Sequence, residues 1–243
     1  MTNAPFATVQ EAFLYCRDMD ASLSERLETF ANVARTLRPE MQEAVDRMVE
    51  RLKSSSAGEA APKLGDTMPS FTLPDETGSL VSLEDLLADG PVAVTFHRGH
   101  WCPYCRINTR ALSEAQGRIK AIGAQIVAIM PERQQFAATF KTDAGLDCPV
   151  LTDIDNGYAL SLNLAIWAGN ELEQLMAASG RDLPYYQGND AWFLPIPATF
   201  VLDDDGIVRE RFIDPDYRRR MAVEDLLSAL KQAQGHQESG HSS

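Results

Sequence analysis

The sequence predicts an α/β fold, a central mixed sheet flanked by helices, preceded by an N-terminal helical arm. Three observations predict it. Apolar runs at 92–96 and 126–130 alternate with helix-periodic stretches at 104–122 and 132–144, the rhythm of parallel strands covered on both faces. Segments 198–202 and 207–213 flank Asp203-Asp204-Asp205-Gly206, turn chemistry that joins two antiparallel strands. Upstream, residues 22–53 repeat apolar side chains at helical spacing.

In the arm, Leu23, Leu27, Phe30 and Val33 form one stripe and Met41, Val45, Met48 and Leu52 the next. Ser22 with Glu25 makes a capping box, and Pro39 suits the first turn of the second helix, where a missing N–H costs nothing. Stripes this apolar must be buried, and the expectation is a homodimer interface or, failing that, packing on their own domain. Residues 54–62, rich in Ser, Ala and Gly, read as a linker. The organisation is therefore arm and linker over 1–62, main domain over 63–234 with its last helix at 223–234, and a polar, disordered tail over 235–243. A stretch inserted at 158–195 carries Trp167, Tyr185, Tyr186, Trp192 and Phe193, aromatics that belong to a core or to a lid over the site.

At 243 residues, 44% hydrophobic and 23% charged, the chain can bury a full core in one main domain with appendages. Its net charge of -13 argues against nucleic acid and against anionic membrane surfaces, both of which need a basic footprint. Small molecules or proteins are the expected partners. Residues 1–13 have neither a basic start nor a long apolar run, and no run approaches the roughly 20 residues that span a bilayer, so the expected location is the cytoplasm. Four cysteines are too few for a disulfide scaffold, and a close pair in a reducing compartment reads as redox or metal chemistry.

That pair is Cys102 and Cys105, in Trp101-Cys102-Pro103-Tyr104-Cys105. It follows the strand at 92–96 and opens a helix striped by Ile107, Ala111, Ala115 and Ile119. Strand, dithiol, helix is the context of a redox-active pair in a thioredoxin-like fold. At the helix N-terminus, unpaired N–H groups and the dipole face the Cys102 sulfur and should lower its pKa, making the thiolate that acts as nucleophile. A spacing of three puts Cys105 on the same face, about 5–6 Å away between Cβ atoms, within easy closure of a disulfide. Two buried structural cysteines are the plain alternative. His97 and His100 add a rival, since with the two thiols they make the ligand set of a structural zinc site. Solvated loop histidines are the expected reading, with neither a resident metal nor a cofactor.

From 63 to 230 the chain resembles the peroxiredoxin-like branch of the alkyl hydroperoxide reductase and thiol-specific antioxidant family. The matching pieces are Phe71 to Asp75, Phe96 to Cys105, Cys148 to Asp153, Pro195 to Asp203 and Asp214 to Tyr217. The resemblance implies a thioredoxin-like fold, a peroxidatic role for Cys102, and reduction of a hydroperoxide at the expense of a thiol donor such as thioredoxin or glutathione. Cys105 would then resolve the sulfenic acid. Two departures stand out. The family pattern P-x-x-x-T-x-x-C has Gly99 at the Thr position when counted to Cys102, and the Arg that precedes Ala-Thr-Phe in the family is Pro197 here. Those losses favour the runner-up, a thioredoxin-like thiol-disulfide oxidoreductase; a zinc or interaction module stands third.

Pro197 is expected beside the dithiol in the cis form, as thioredoxin-like proteins place it. Arg98, Trp101 and Pro197 are the candidate substrate contacts. The hairpin should also return Arg218, Arg219 and Arg220 to the active-site end, although an arginine run is ordinarily solvated surface. Cys148, before Pro149, reads as a packing cysteine, and Cys16 as a packing residue or a resolver for a partner subunit.

Overall fold

In the computed structural model, residues 6–240 are described, with side chains through 234. Three helices open the chain: α1 (Val9–Asp18), α2 (Leu23–Leu37) and α3 (Pro39–Ser54). The capping box of Ser22 and Glu25 is formed, and a second box, Thr8 with Glu11, starts α1, which the sequence reading passed over. A small hairpin, β1 (Thr72–Pro74) and β2 (Leu80–Ser82), leads through α4 (Leu83–Leu87) into β3 (Val92–Phe96). Then follow α5 (Pro103–Ala121), β4 (Gln125–Met130), α6 (Gln134–Ala144) and β5 (Val150–Thr152). The insertion folds as α7 (Gly157–Ser161), β6 (Ala165–Trp167), α8 (Asn170–Ala178), α9 (Leu183–Gln187) and β7 (Phe193–Pro195). The chain closes with β8 (Ala198–Leu202), β9 (Val208–Ile213) and α10 (Val223–Gly240).

The central sheet runs β5-β4-β3-β8-β9; β3, β4 and β5 are parallel, and β8 and β9 are antiparallel. Alternation along the strands divides the core in two. Ala93, Ile126, Ala128, Met130 and Val201 face the arm, α5, α6 and α10, whereas Val94, Phe96, Val127, Ile129 and Phe200 face α4 and α7. The β8–β9 turn is tied by Asp203, whose Oδ1 accepts from the N–H groups of Asp205 and Ile207 at 3.1 and 2.9 Å.

The arm packs on its own domain. Phe30 meets Tyr104 edge-on at 5.0 Å, Arg26 grips Glu114 with two bonds of 2.8 and 3.2 Å, and Leu27, Phe30, Val45 and Met48 are buried in the main core. The stripes on which the dimer expectation rested are thus covered within the chain. The last helix also continues past Gln234 and through Gly235 to Gly240, where the sequence reading places a disordered tail. Nothing in that polar stretch forbids a helix, since no proline interrupts it. Residues 1–5 and 241–243, parts of the expected arm and tail, lie outside the described residues. No helix among those described is long and apolar enough to cross a membrane.

Candidate active site: a buried dithiol beneath an arm-roofed cleft

The end of β3 delivers the chain into a tight loop, and Cys102 becomes the N-cap of α5 with Pro103 in its first turn. Gly99 makes this loop feasible. Its φ is +139°, and an added Cβ would lie 2.6 Å from the carboxyl carbon of Glu132. Glu132, fully buried, accepts from the backbone N–H of His100 at 2.7 Å and pairs with its Nδ1 at 2.9 Å. Burial raises the Glu132 pKa, against the opposing effect of His100.

Both thiols are buried, free and within hydrogen-bonding reach of one another. They differ in what surrounds them. Cys105 Sγ accepts from the backbone N–H of Arg98 at 3.4 Å and from Nη2 of Arg220 at 3.5 Å. The His97 side chain also lies within hydrogen-bonding reach of this sulfur. Burial pushes the Cys105 thiol up, but the contacts with Cys102 and His97 and the charge of Arg220 outweigh it and hold the thiol well below its usual value. Burial and the same sulfur–sulfur contact push Cys102 up. The two thiols titrate as a pair, and the contacts around Cys105 favour the negative charge on that sulfur. This corrects the expectation of a depressed Cys102: the helix N-terminus acts on a sulfur already removed from water, and the cation sits behind its neighbour.

Cys102 opens onto a cleft roofed by arm residues Phe30, Ala34 and Gln42 and walled by Leu172, Met176 and Arg181 of the insertion. Arg98 lines it too, its guanidinium 3.8 Å over the ring of Tyr217 and 5.0 Å over that of Trp101. Of the expected site residues, Cys102, Arg98 and Trp101 line the cleft together and Cys105 lies behind them. Pro197, buried just before β8 at the same end of the sheet, does not line the cleft, and its peptide bond is trans. None of the five inserted aromatics lines it either; Tyr185 and Tyr186 pack with Phe136, and Tyr186 also meets His100.

The hairpin does return its arginines to this end, but only Arg220 reaches a thiol. Arg218 is held by Asp216 and Asp46, and Arg219 by Asp214. The histidines are not solvated loop residues. His97 is fully buried with Nε2 3.0 Å from Thr95 Oγ1, and His100 is half-buried on Glu132. Of the two only His97 approaches a thiol, Cys105, and among the described residues no three metal-ligating side chains gather. Cys148 is half-exposed, with burial of its sulfur pushing its pKa up to about 12, and Cys16 is buried within the arm core. Sequence reasoning missed Arg38, Gln42 and Arg181, because nothing local in a helix junction or an insertion says which cleft it will border.

A dithiol capping a helix at the end of a parallel strand, beside a β-hairpin, defines a thiol redox protein of the thioredoxin-like class. Comparisons narrow the class. The AhpC/TSA family matches residues 64–211, and a Mycobacterium tuberculosis protein that carries a peroxiredoxin name is 30% identical over 142 residues, 58% of this chain and 79% of the relative. Peroxiredoxin Bcp of Escherichia coli is 28% identical over 94 residues, 39% of this chain and 60% of that protein. The fold also matches the crystal structure of peroxidoxin BcpB from M. tuberculosis, with a TM-score of 0.55 and 23% identity over 70% of this chain and 97% of that one. The chain belongs to the AhpC/TSA family and is an oxidoreductase of the peroxiredoxin type.

Proposed function

We propose that the chain reduces hydroperoxides through a dithiol/disulfide cycle on Cys102 and Cys105. The observation that carries this reading is the division of labour between two touching thiols. Cys102 alone of the pair faces the cleft, and the contacts around Cys105 favour the negative charge behind it. As a hydroperoxide enters, the proton of Cys102 moves to Cys105 and the Cys102 thiolate attacks the outer oxygen. The O–O bond breaks, the alkoxide leaves with that proton as alcohol, and Cys102 becomes a sulfenic acid. Cys105, again a thiolate, attacks the Cys102 sulfur, expels hydroxide and closes the disulfide. Two electrons pass from the two sulfurs to the peroxide. Arg98 and Arg220 supply the positive field that the family's missing Thr and Arg would otherwise provide. A thiol donor of the thioredoxin or glutathione type then restores the dithiol, which suits a reducing compartment such as the cytoplasm.

Stopped-flow oxidation of the reduced chain tests this directly. Hydrogen peroxide should oxidise it faster than a small disulfide does; exchange with the disulfide alone would replace the peroxidase reading by a thiol-disulfide oxidoreductase. A second reading exchanges the two cysteines, and the convergence of Arg98 N–H, Arg220 and His97 on Cys105 favours it. Trapping sulfenic acid with dimedone separates them: an adduct on Cys102 in Cys105→Ser supports the first assignment, and an adduct only on Cys105 in Cys102→Ser supports the exchange.

A further inference from the structure

The cleft over Cys102 has a charge pattern opposite to that of the chain around it. The protein carries 35 acidic residues against 22 basic ones, yet the cleft is lined by Arg38, Arg98 and Arg181 and, among the described residues, by no Asp or Glu. None of the three arginines has a carboxylate partner among the described residues. Arg98, stacked on Tyr217 beside the dithiol, belongs to the reacting end. Arg181 lies within range of the charges of Arg38, Arg98 and Cys102. Arg38 occupies the junction of α2 and α3 and is exposed, so it marks the open side. Arg181, between α8 and α9, is half-buried, and its Nη1 donates to Ser179 Oγ at 2.7 Å. Burial, and then the charge of Arg38, hold the Arg181 guanidinium below its usual pKa: two like charges near each other without a counter-ion.

The same cleft has an apolar wall built by Phe30, Ala34, Met41, Val45, Leu172 and Met176. Gln42, itself buried, adds an Oε1 with no hydrogen-bond partner among the described residues. A largely apolar cleft that holds a reactive sulfur and neighbouring guanidiniums, with no carboxylate in its lining, matches one kind of molecule. We propose that Arg38 and Arg181 form a carboxylate clamp, and that the cleft takes an organic hydroperoxide whose apolar chain bears a carboxylate. Both arms of the clamp lie outside the sheet and hairpin that carry the dithiol. Arg38 comes from the helical arm that precedes the family-matched segment, and Arg181 from the insertion. The inference rests on the peroxidase reading for its chemistry but not for its binding.

The test compares a fatty-acid hydroperoxide with its methyl ester at matched concentration and low ionic strength, using the full chain. One charge-assisted contact to a carboxylate should favour the acid by about tenfold in the rate of oxidation, a preference that salt weakens. In Arg38→Gln/Arg181→Gln the ratio of acid to ester should fall to about one, with circular dichroism confirming the fold. Equal rates in the native chain, or a preference that survives the double substitution, overturn the clamp. Calorimetric binding of decanoate against 1-decanol reads the site without peroxide chemistry. A chain that binds decanoate in preference to decanol but reacts with no hydroperoxide refutes the peroxidase reading and leaves the clamp standing. One that reacts with hydrogen peroxide but shows no preference for decanoate refutes the clamp alone.

Discussion

Arg220 adds positive charge behind the dithiol, beside the hydrogen bonds that Cys102 and His97 make to Cys105. Anchored by the carbonyls of Tyr217 and Arg219, it brings a guanidinium to Cys105. The Cys105 thiol sits well below its usual value, so the pair loses its charge as pH falls through that depressed value. Oxidation by peroxide should therefore slow toward acid and level off above it. Replacing Arg220 by Gln should move the fall to higher pH, read by thiolate absorbance at 240 nm and by the pH dependence of the stopped-flow rate; an unmoved profile would remove Arg220 from the site. Gly99 makes a sharper structural case. A Cβ there meets the buried Glu132 and forces an L residue to φ +139°, so Gly99→Ala should cost about 1–3 kcal/mol in urea unfolding. Cys105→Ser should take up one oxygen and then a second, reaching sulfinic acid, because nothing one helical turn away captures the sulfenic acid.

At the scale of elements, the arm is what distinguishes this site from a bare dithiol on a sheet. Phe30 is 1% exposed and bridges Phe13 and Tyr104, so Phe30→Ala should destabilise the chain by about 3–5 kcal/mol. It should also open the cleft over Cys102, visible as faster alkylation of that cysteine by iodoacetamide. The helices were readable because Ser22, Glu25 and Pro39 carry local signals, and β3, α5, β4 and β8 because their period or their turns are local too. Where the arm docks was not readable. Its stripes announce that they must be buried, but only the meeting of Phe30 with Tyr104 and of Arg26 with Glu114 shows that the partner is the same chain. The same limit explains Arg181 and Pro197. One reaches the cleft through the path of an insertion, and the other is turned from it by the register of β8 against β3, both consequences of tertiary geometry.

Across the whole molecule, the sheet is covered on both faces, and the dithiol stands at the carboxyl end of β3, where ligands of open α/β sheets commonly bind. The arm, the insertion and the β8–β9 hairpin then each send a group to that end: Gln42, Arg181 and Arg220. The central claim is that peroxide drives these two cysteines, and no others, through a dithiol/disulfide cycle. Peptide mapping by mass spectrometry after one equivalent of hydrogen peroxide tests it most directly. The account predicts a loss of two hydrogens from the intact chain and a disulfide linking Cys102 to Cys105, with Cys16 and Cys148 still reduced. A bridge to Cys16 or Cys148, a link between two chains, or a stable oxygen adduct on Cys102 in the unmodified sequence would contradict it.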